Sequence, residues 1–210
     1  MRSKILILML GFLLFAGGLA EAELVTIQIT GNVTFASGSA LPNTIYEGIN
    51  FTGTYIYDSL GTDSDSSAQI GIYRYNSPYG INIALGGYEF TTPSNNVGRF
   101  GIRISNDRSF NLPVTDYYTV FSGFGENIFD SIIWELKDIT HTALSSDALP
   151  VAAPALNDWD YNNLSIWAYD SSGYGPIMII HGTVTQAVLI PEPITGVLMA
   201  MGALFLRRGR

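Results

Sequence analysis

Apolar and polar residues alternate with a period of two along most of this chain. Val25, Ile27 and Ile29 alternate with threonine and glutamine, and residues 49–57 and 100–105 repeat the pattern. Such alternation is typical of strands that turn one face toward a core. Clusters of Gly, Asn, Asp, Ser and Pro separate these runs at short intervals and indicate turns.

The alternation predicts about ten short strands and no amphipathic helix between residues 24 and 189. Within residues 81–92, two β-rich runs flank Gly86-Gly87, which is the two-residue signal of a hairpin. The remaining runs are 70–75, 117–121, 132–136, 164–169 and 177–189. We therefore expect an all-β fold, an antiparallel β-sandwich or jelly roll, with helical targeting segments at both termini.

The first 22 residues have the pattern of a secretory signal peptide. Arg2 and Lys4 precede an apolar run over residues 5–19, and Ala20 and Ala22 supply a small-x-small cleavage site. The apolar run is 15 residues long, whereas a membrane span needs about 20. The sequence therefore predicts a signal peptide over 1–22, and an N-terminal membrane anchor is the alternative.

The other end of the chain carries a second targeting pattern. A Pro-Glu-Pro break, an apolar run over 194–206 and a terminal basic cluster follow one another. The break consists of Pro191, Glu192 and Pro193, and the cluster consists of Arg207, Arg208 and Arg210. As a helix the run rises only about 20 Å, whereas the hydrocarbon core of a bilayer is about 30 Å thick. The arginines are expected on the cytoplasmic side. This pattern favours a transient anchor with the Pro-Glu-Pro break outside, and a lasting tail anchor is the alternative.

These three features in this order resemble the PEP-CTERM sorting signal of Gram-negative bacteria, here over residues 190–210. The resemblance implies processing by an exosortase-type enzyme near the motif, and then residence at the cell surface or outside the cell. It also implies an association with extracellular polysaccharide, as in a biofilm matrix. Interior stretches, among them 53–75 and 143–150, are similar to an exported β-domain that often precedes such tails, which implies the sandwich fold but no activity.

Charge and cysteine content narrow the function of the remaining domain, 23–189. Residues 23–190 hold 16 Asp and Glu against 5 Lys and Arg, a net charge of −11. So acidic a domain is unsuited to nucleic acid, whose phosphates attract the opposite charge, and we expect contact with the membrane only through the terminal segments. The chain has no cysteine, which excludes disulfides, thiol nucleophiles and Cys-ligated zinc. Burial alone must hold the domain together.

One loop is rich in oxygen ligands. Asp58, Asp63 and Asp65 lie there with Ser64, Ser66 and Ser67. Such ligands suit calcium, but the central glycine and the closing glutamate of an EF-hand loop are missing. Asp and Ser are also ordinary turn residues. We therefore interpret residues 58–67 as a solvated loop without a metal, with calcium as the alternative.

Catalytic signals are weak. Two carboxylate pairs, Glu126 with Asp130 and Asp158 with Asp160, suit a glycosidase only if a cleft brings each pair to face a glycosidic bond. His141 and His181 belong to no HExxH motif, and the chain has no GxSxG, P-loop or GxGxxG sequence. We expect a surface or packing role for each histidine.

Aromatic residues form two groups. Tyr73, Tyr75 and Tyr79 make the first, and Trp159, Tyr161, Trp167 and Tyr169 make the second. If they are exposed on one sheet face, these Trp and Tyr side chains would stack on sugar rings, although strand aromatics more often belong to the core. For Trp134 we expect the core.

The sequence therefore favours a non-catalytic exported protein that binds no cofactor and is sorted to the cell surface or a polysaccharide matrix. Its expected partners are an exosortase-type processing enzyme and an extracellular polysaccharide. A glycan-binding module is the first alternative, and a hydrolase on a β-sandwich is the second.

Overall fold

The computed structural model describes residues 24–95, 97–108, 114–124, 130–170 and 175–191. The predicted signal peptide with Ala20 and Ala22 lies outside these residues. So do both targeting helices and all of the predicted sorting signal except Ile190 and Pro191. No helix in the described part of the chain is long and apolar enough to cross a membrane.

Ten strands and one 3-10 turn, Leu156–Asp158, make up the regular structure of the described residues. The strands are β1 (Leu24–Ser37), β2 (Asn50–Asp58), β3 (Ile70–Tyr75), β4 (Gly80–Leu85), β5 (Tyr88–Thr91), β6 (Phe100–Arg108), β7 (Thr115–Gly123), β8 (Ser131–Asp138), β9 (Tyr161–Tyr169) and β10 (Pro176–Ile190). The prediction of an all-β fold of about ten antiparallel strands is confirmed.

All ten strands belong to one antiparallel sheet, in the order β3-β6-β7-β8-β9-β10-β1-β2-β4-β5. The sheet curls, so that the inward faces of its two halves meet around one hydrophobic core. Every strand contributes buried apolar side chains to that core. The inward residues are the apolar members of the alternating pattern, as in β8, where every second residue is buried.

The hairpin predicted at Gly86-Gly87 joins β4 to β5, with Leu85 paired to Tyr88. Both glycines have positive φ, 59° and 86°. These are the left-handed conformations that a tight two-residue hairpin turn requires and that glycine adopts without steric cost.

Aromatic side chains fill the centre of the core, where the two halves of the sheet meet. The hydroxyl oxygens of Tyr55 on β2 and Tyr118 on β7 lie 2.9 Å apart and are buried. Both rings pack edge-on against Trp134 of β8, at centroid distances of 5.9 and 6.0 Å. Trp134 is fully buried, as predicted, and its indole N–H donates to Asn162 Oδ1. Burial raises the pKa of Tyr55 and of Tyr118 well above 10.0, so both phenols stay neutral and available for the shared hydrogen bond.

Replacing Tyr55 by Phe should therefore lower the free energy of unfolding by about 1 to 3 kcal/mol, because the Tyr118 hydroxyl loses its buried partner. The double variant Tyr55→Phe, Tyr118→Phe should lose less than the sum of the two single variants, since neither hydroxyl is then left unpaired. Urea unfolding of the four proteins measures this coupling. Additive losses would show that the two hydroxyls do not depend on each other.

Candidate functional site

The curl leaves the other face of the sheet in contact with solvent, and an aromatic patch lies there on β1, β9 and β10. Phe35, Trp167, Tyr169 and His181 form this patch, which we call the outer platform. Phe35 is 47% exposed, and the other three are half-buried. Aromatic side chains on a solvent-facing sheet offer flat apolar surface with polar edges.

The rings of the outer platform contact one another in sequence. Trp167 and Tyr169 are nearly parallel, with an interplanar angle of 15° and centroids 6.5 Å apart. His181 meets Trp167 edge-on at 5.6 Å and lies 5.8 Å from Phe35. The patch is therefore one continuous surface across three neighbouring strands.

A β-bulge brings Phe35 to this surface. Along β1, strict alternation from Val25 to Val33 would point residue 35 into the core. The pairing with β10 shifts between Val33 and Phe35, so that Phe35 lies opposite His181 instead. An extra residue in one strand redirects the side chains that follow it. The bulge therefore converts a position expected in the core into part of the outer platform.

Polar groups lie directly beside the rings. Ser165 pairs with His181 across β9 and β10, and its Oγ is 2.9 Å from His181 Nδ1. Asn163 Nδ2 donates to the same Oγ at 2.6 Å. The Ser165 hydroxyl therefore connects the Asn163 amide to the His181 ring. The platform thus combines apolar rings with an amide and an imidazole group, which the buried hydroxyl of Ser165 connects.

The aromatic residues of the two groups are divided between the core and the outer face of the sheet. Trp167 and Tyr169 share the outer face with Tyr161, which is 46% exposed. Trp159, by contrast, packs against the core and lies 6.5 Å from Tyr118. In the first group, the inward-facing Tyr73 and Tyr75 are buried, and Tyr79 contacts Tyr75 at 5.3 Å.

Sequence reasoning did not identify Phe35, Ser165 or His181 as members of one site. They are 16 or more residues apart in the chain, and only the strand order brings β1 and β9 to either side of β10. Ser165 and Trp167 are two residues apart on β9, and this separation is the one local signal that places both side chains on the same face of the sheet.

Two buried aspartates, Asp116 and Asp138, are missed by sequence reasoning as well. They are direct neighbours on β7 and β8. Asp138 accepts hydrogen bonds from the backbone N–H groups of Thr140, Thr142 and Ala143 and from the Thr140 hydroxyl, at 2.6 to 2.9 Å. Burial by itself favours the neutral acid, but these hydrogen bonds outweigh it and hold the pKa of Asp138 well below its usual range. This carboxylate anchors the start of the loop between β8 and β9.

The predicted pair Asp158 and Asp160 lies at the rim of the same loop. Both line a polar depression of about 450 Å³ together with Asp138, Trp159 and Asn157. The Asp160 carboxylate accepts a hydrogen bond from the N–H of Ile139 at 2.9 Å. One member of the pair therefore holds the backbone of the loop in place, which is a structural role.

The other predicted acidic and histidine residues are dispersed. Asp130 accepts the N–H of Tyr169 at 2.8 Å, and its predicted partner Glu126 lies outside the described residues. His141 Nδ1 contacts Asp107 Oδ1 at 3.2 Å, with both side chains half exposed. His141 is thus a surface residue, as expected, whereas His181 belongs to the outer platform.

The carboxylates of the 58–67 loop accept hydrogen bonds from backbone N–H groups. Asp63 Oδ1 accepts the N–H groups of Asp65 and Ile72, and Asp65 Oδ1 accepts that of Ser67. Asp58 Oδ1 accepts the N–H of Leu60. These are the turn roles open to Asp in the sequence. In the described part of the chain, no three His, Asp or Glu residues are grouped so as to hold a metal ion.

Comparison with known proteins adds no assignment: no family model, no curated protein and no solved structure matches the chain.

Replacing Asp138 by Asn should lower the free energy of unfolding by about 1 to 3 kcal/mol at pH 7, because buried N–H groups lose their charged acceptor. The folded-state pKa lies well below the unfolded value of about 3.9, so the stabilisation is complete above that value and is lost as the pH falls through the folded-state pKa. The variant should therefore differ from the native protein somewhat less at pH 3 than at pH 7, with most of the difference still present.

Urea unfolding followed by circular dichroism at the two pH values measures this difference. Asp158→Asn, which removes an exposed carboxylate from the same depression, is the matched control and should change stability little. Equal stability of Asp138→Asn and the native protein at pH 7 would contradict the anchoring role.

Proposed function

We propose that this is a non-catalytic exported protein that contacts extracellular polysaccharide through its outer platform. The observation that carries the proposal is the continuous surface of Trp167, Tyr169, His181 and Phe35 on the solvent-facing side of the sheet. The face of a sugar ring is apolar and its edges carry hydroxyl groups, so it suits aromatic rings that have polar neighbours.

The polar neighbours would fix the orientation of the sugar. Ser165, Asn163 and His181 form a connected hydrogen-bonding chain next to Trp167. Amide and imidazole groups both donate to and accept from sugar hydroxyls, and the buried Ser165 would hold these two groups in place. The stacked rings would supply most of the contact area, and a few placed polar groups would supply the specificity.

Export and sorting belong to the same proposal and are supported by the terminal patterns. Residues 1–22 resemble a signal peptide and residues 190–210 resemble a PEP-CTERM signal that an exosortase-type enzyme would process. Strand β10 ends at Ile190, where it pairs with Thr26 of β1. Cleavage after this point would leave all ten strands intact, which suits a domain retained outside the cell.

We further propose that the curled sheet is best described as sandwich-like. Its two halves bury their inward faces against each other, with Tyr55 and Tyr118 in contact across the core. In such folds the residues of the inner faces alternate with outward-facing residues along each strand.

Trp167→Ala should weaken polysaccharide binding by about tenfold or more, because one lost stacking contact of about 1.4 kcal/mol corresponds to a factor of ten. Mobility of the full chain in native gels that contain polysaccharide measures the affinity. Tyr88→Ala on the edge strand β5, which removes a 50% exposed ring far from the platform, is the control and should bind normally. If native protein binds no polysaccharide, or if both variants bind like it, the platform has no such role.

Replacing Pro191, Glu192 and Pro193 by alanine should leave export intact and block maturation, because the extended break that a processing enzyme needs is lost. A species that retains the tail should then accumulate in the membrane fraction. Mass spectrometry of the native surface form is the direct measurement. A surface form that still carries Arg207, Arg208 and Arg210 would identify the tail as a lasting anchor.

A further inference from the structure

The basic residues of this acidic domain are concentrated on one half of the sheet. Residues 23–190 have a net charge of −11 and contain five Lys and Arg residues. All five lie on β3, β6 or β8 or immediately before β6: Arg74, Arg99, Arg103, Arg108 and Lys137. Strands β1, β2, β4, β5, β9 and β10 carry none. Positive charge therefore occurs only on the half that adjoins the outer platform through β8 and β9.

Arg74 begins a row of cross-strand neighbours that ends at the outer platform. The row runs over seven adjacent strands, through Arg74, Gly101, Phe121, Ile133, Ser165, His181 and Phe35. With strands about 4.8 Å apart, Arg74 lies roughly 19 Å from β9 along the sheet.

The guanidinium of Arg74 is held in place on this row. It lies 5.4 Å from the centroid of the Phe121 ring, and its Nη1 donates to Gly98 O at 3.1 Å. The ring of Phe121 leans over Gly101, where an added Cβ would lie 2.5 Å from the ring. The absence of a side chain at residue 101 thus allows Phe121 to support an exposed Arg74.

A second row of cross-strand neighbours runs beside the first, and Arg99 lies at its start. Its side chain covers Gly123, where an added Cβ would lie 3.6 Å from Arg99 Cδ. From Gly123 the row continues through Ser131 to Trp167 and Ile179. Gly123 and Trp167 are two strands apart, which is about 10 Å. Each row therefore leads from an arginine to the aromatic surface.

The other basic residues are less suited to a ligand on these rows. Burial and the neighbouring Arg108 lower the pKa of Arg103, and its row leads through Thr119 and Glu135 to Asn163 rather than to an aromatic ring. Arg108 pairs with Thr115 of β7, and the pairing of β7 with β8 begins only at Asp116. Lys137 lies 5.7 Å from the ring of Tyr117 and pairs with Tyr161, on a different row. Arg74 and Arg99 are thus the two cations that adjoin the rows of the platform.

We propose that the polysaccharide bound by the outer platform is anionic, with carboxylate-bearing sugars that lie along these two rows. Its rings would stack at Trp167, and its carboxylates would meet Arg74 and Arg99. This inference rests on the proposed function and adds the chemical class of the ligand. Arginine binds carboxylates through charge-assisted, often bidentate hydrogen bonds, which are stronger than neutral ones.

The charge of the rest of the domain supports this placement. A polyanion would be repelled by the other, acidic surfaces and attracted only where the basic residues lie. Electrostatic complementarity of this kind selects the orientation of a ligand more than it adds affinity. Binding should accordingly weaken as salt screens the exposed charges.

The test compares two polymers that share one backbone and differ in charge, polygalacturonate and its highly methyl-esterified form. The full chain, purified in mild detergent, should bind polygalacturonate at least tenfold more tightly than the ester at low salt, and this preference should shrink as salt increases. The double variant Arg74→Gln, Arg99→Gln should lose about tenfold in affinity for polygalacturonate and little for the ester. Lys137→Gln is the matched control and should bind like the native protein.

Each outcome separates this inference from the proposed function. Equal binding of the two polymers by the native protein would overturn the anionic class and leave the polysaccharide role in place. An equal loss in Lys137→Gln would overturn the assignment to Arg74 and Arg99. Binding of single-stranded DNA as tight as that of polygalacturonate would show that charge alone is recognised and would also overturn it. Binding of neither polymer would overturn both proposals.

Discussion

A single sheet that buries one face against itself is the constraint on which the rest of this structure depends. The described residues contain almost no helix, so the apolar face is covered mainly by the other half of the sheet, with loop residues such as Leu144 and Trp159 packed against it. The halves meet where Tyr55, Tyr118 and Trp134 pack and the two phenols share a buried hydrogen bond. Large aromatic rings bury much area per residue, and the hydrogen bond satisfies the polar atoms that come with them.

The curl that closes the core also determines what solvent meets. Side chains alternate across a strand, so each buried tyrosine or isoleucine leaves its neighbours on the outside. On β9 this places Ser165 and Trp167 outward, and the bulge in β1 adds Phe35 beside His181. The position of the outer platform thus follows from the formation of the core. Its composition is unusual for a face of a sheet that contacts solvent. Its aromatic rings are what support a binding role.

Buried carboxylates perform a separate, structural task at one end of the sheet. Asp116 accepts the N–H groups of Asp107 and Leu144, and Asp138 accepts those at the start of the β8–β9 loop. Together they connect the end of β6 and this long loop to β7 and β8. The polar depression nearby contains Asp158 and Asp160, but its walls are formed by groups already engaged in holding the loop. Buried acidic residues therefore stabilise the fold here, whereas the basic residues lie on β3, β6 and β8 or just before β6.

The local pattern of the sequence determined the strands, because alternation with a period of two decides which residues can share a face of the sheet. The same local reading located the hairpin at Gly86-Gly87, since glycine freely adopts the positive φ angles that this turn requires. The resemblance of the two termini to targeting signals depends on composition rather than on contacts, and it stays a prediction. Only the tertiary structure decided that Trp159 packs on the core while Trp167 faces solvent, and that Phe35 turns outward. Strand order and a one-residue bulge control these outcomes, and both arise from pairings between residues distant in the chain, which local periodicity does not encode.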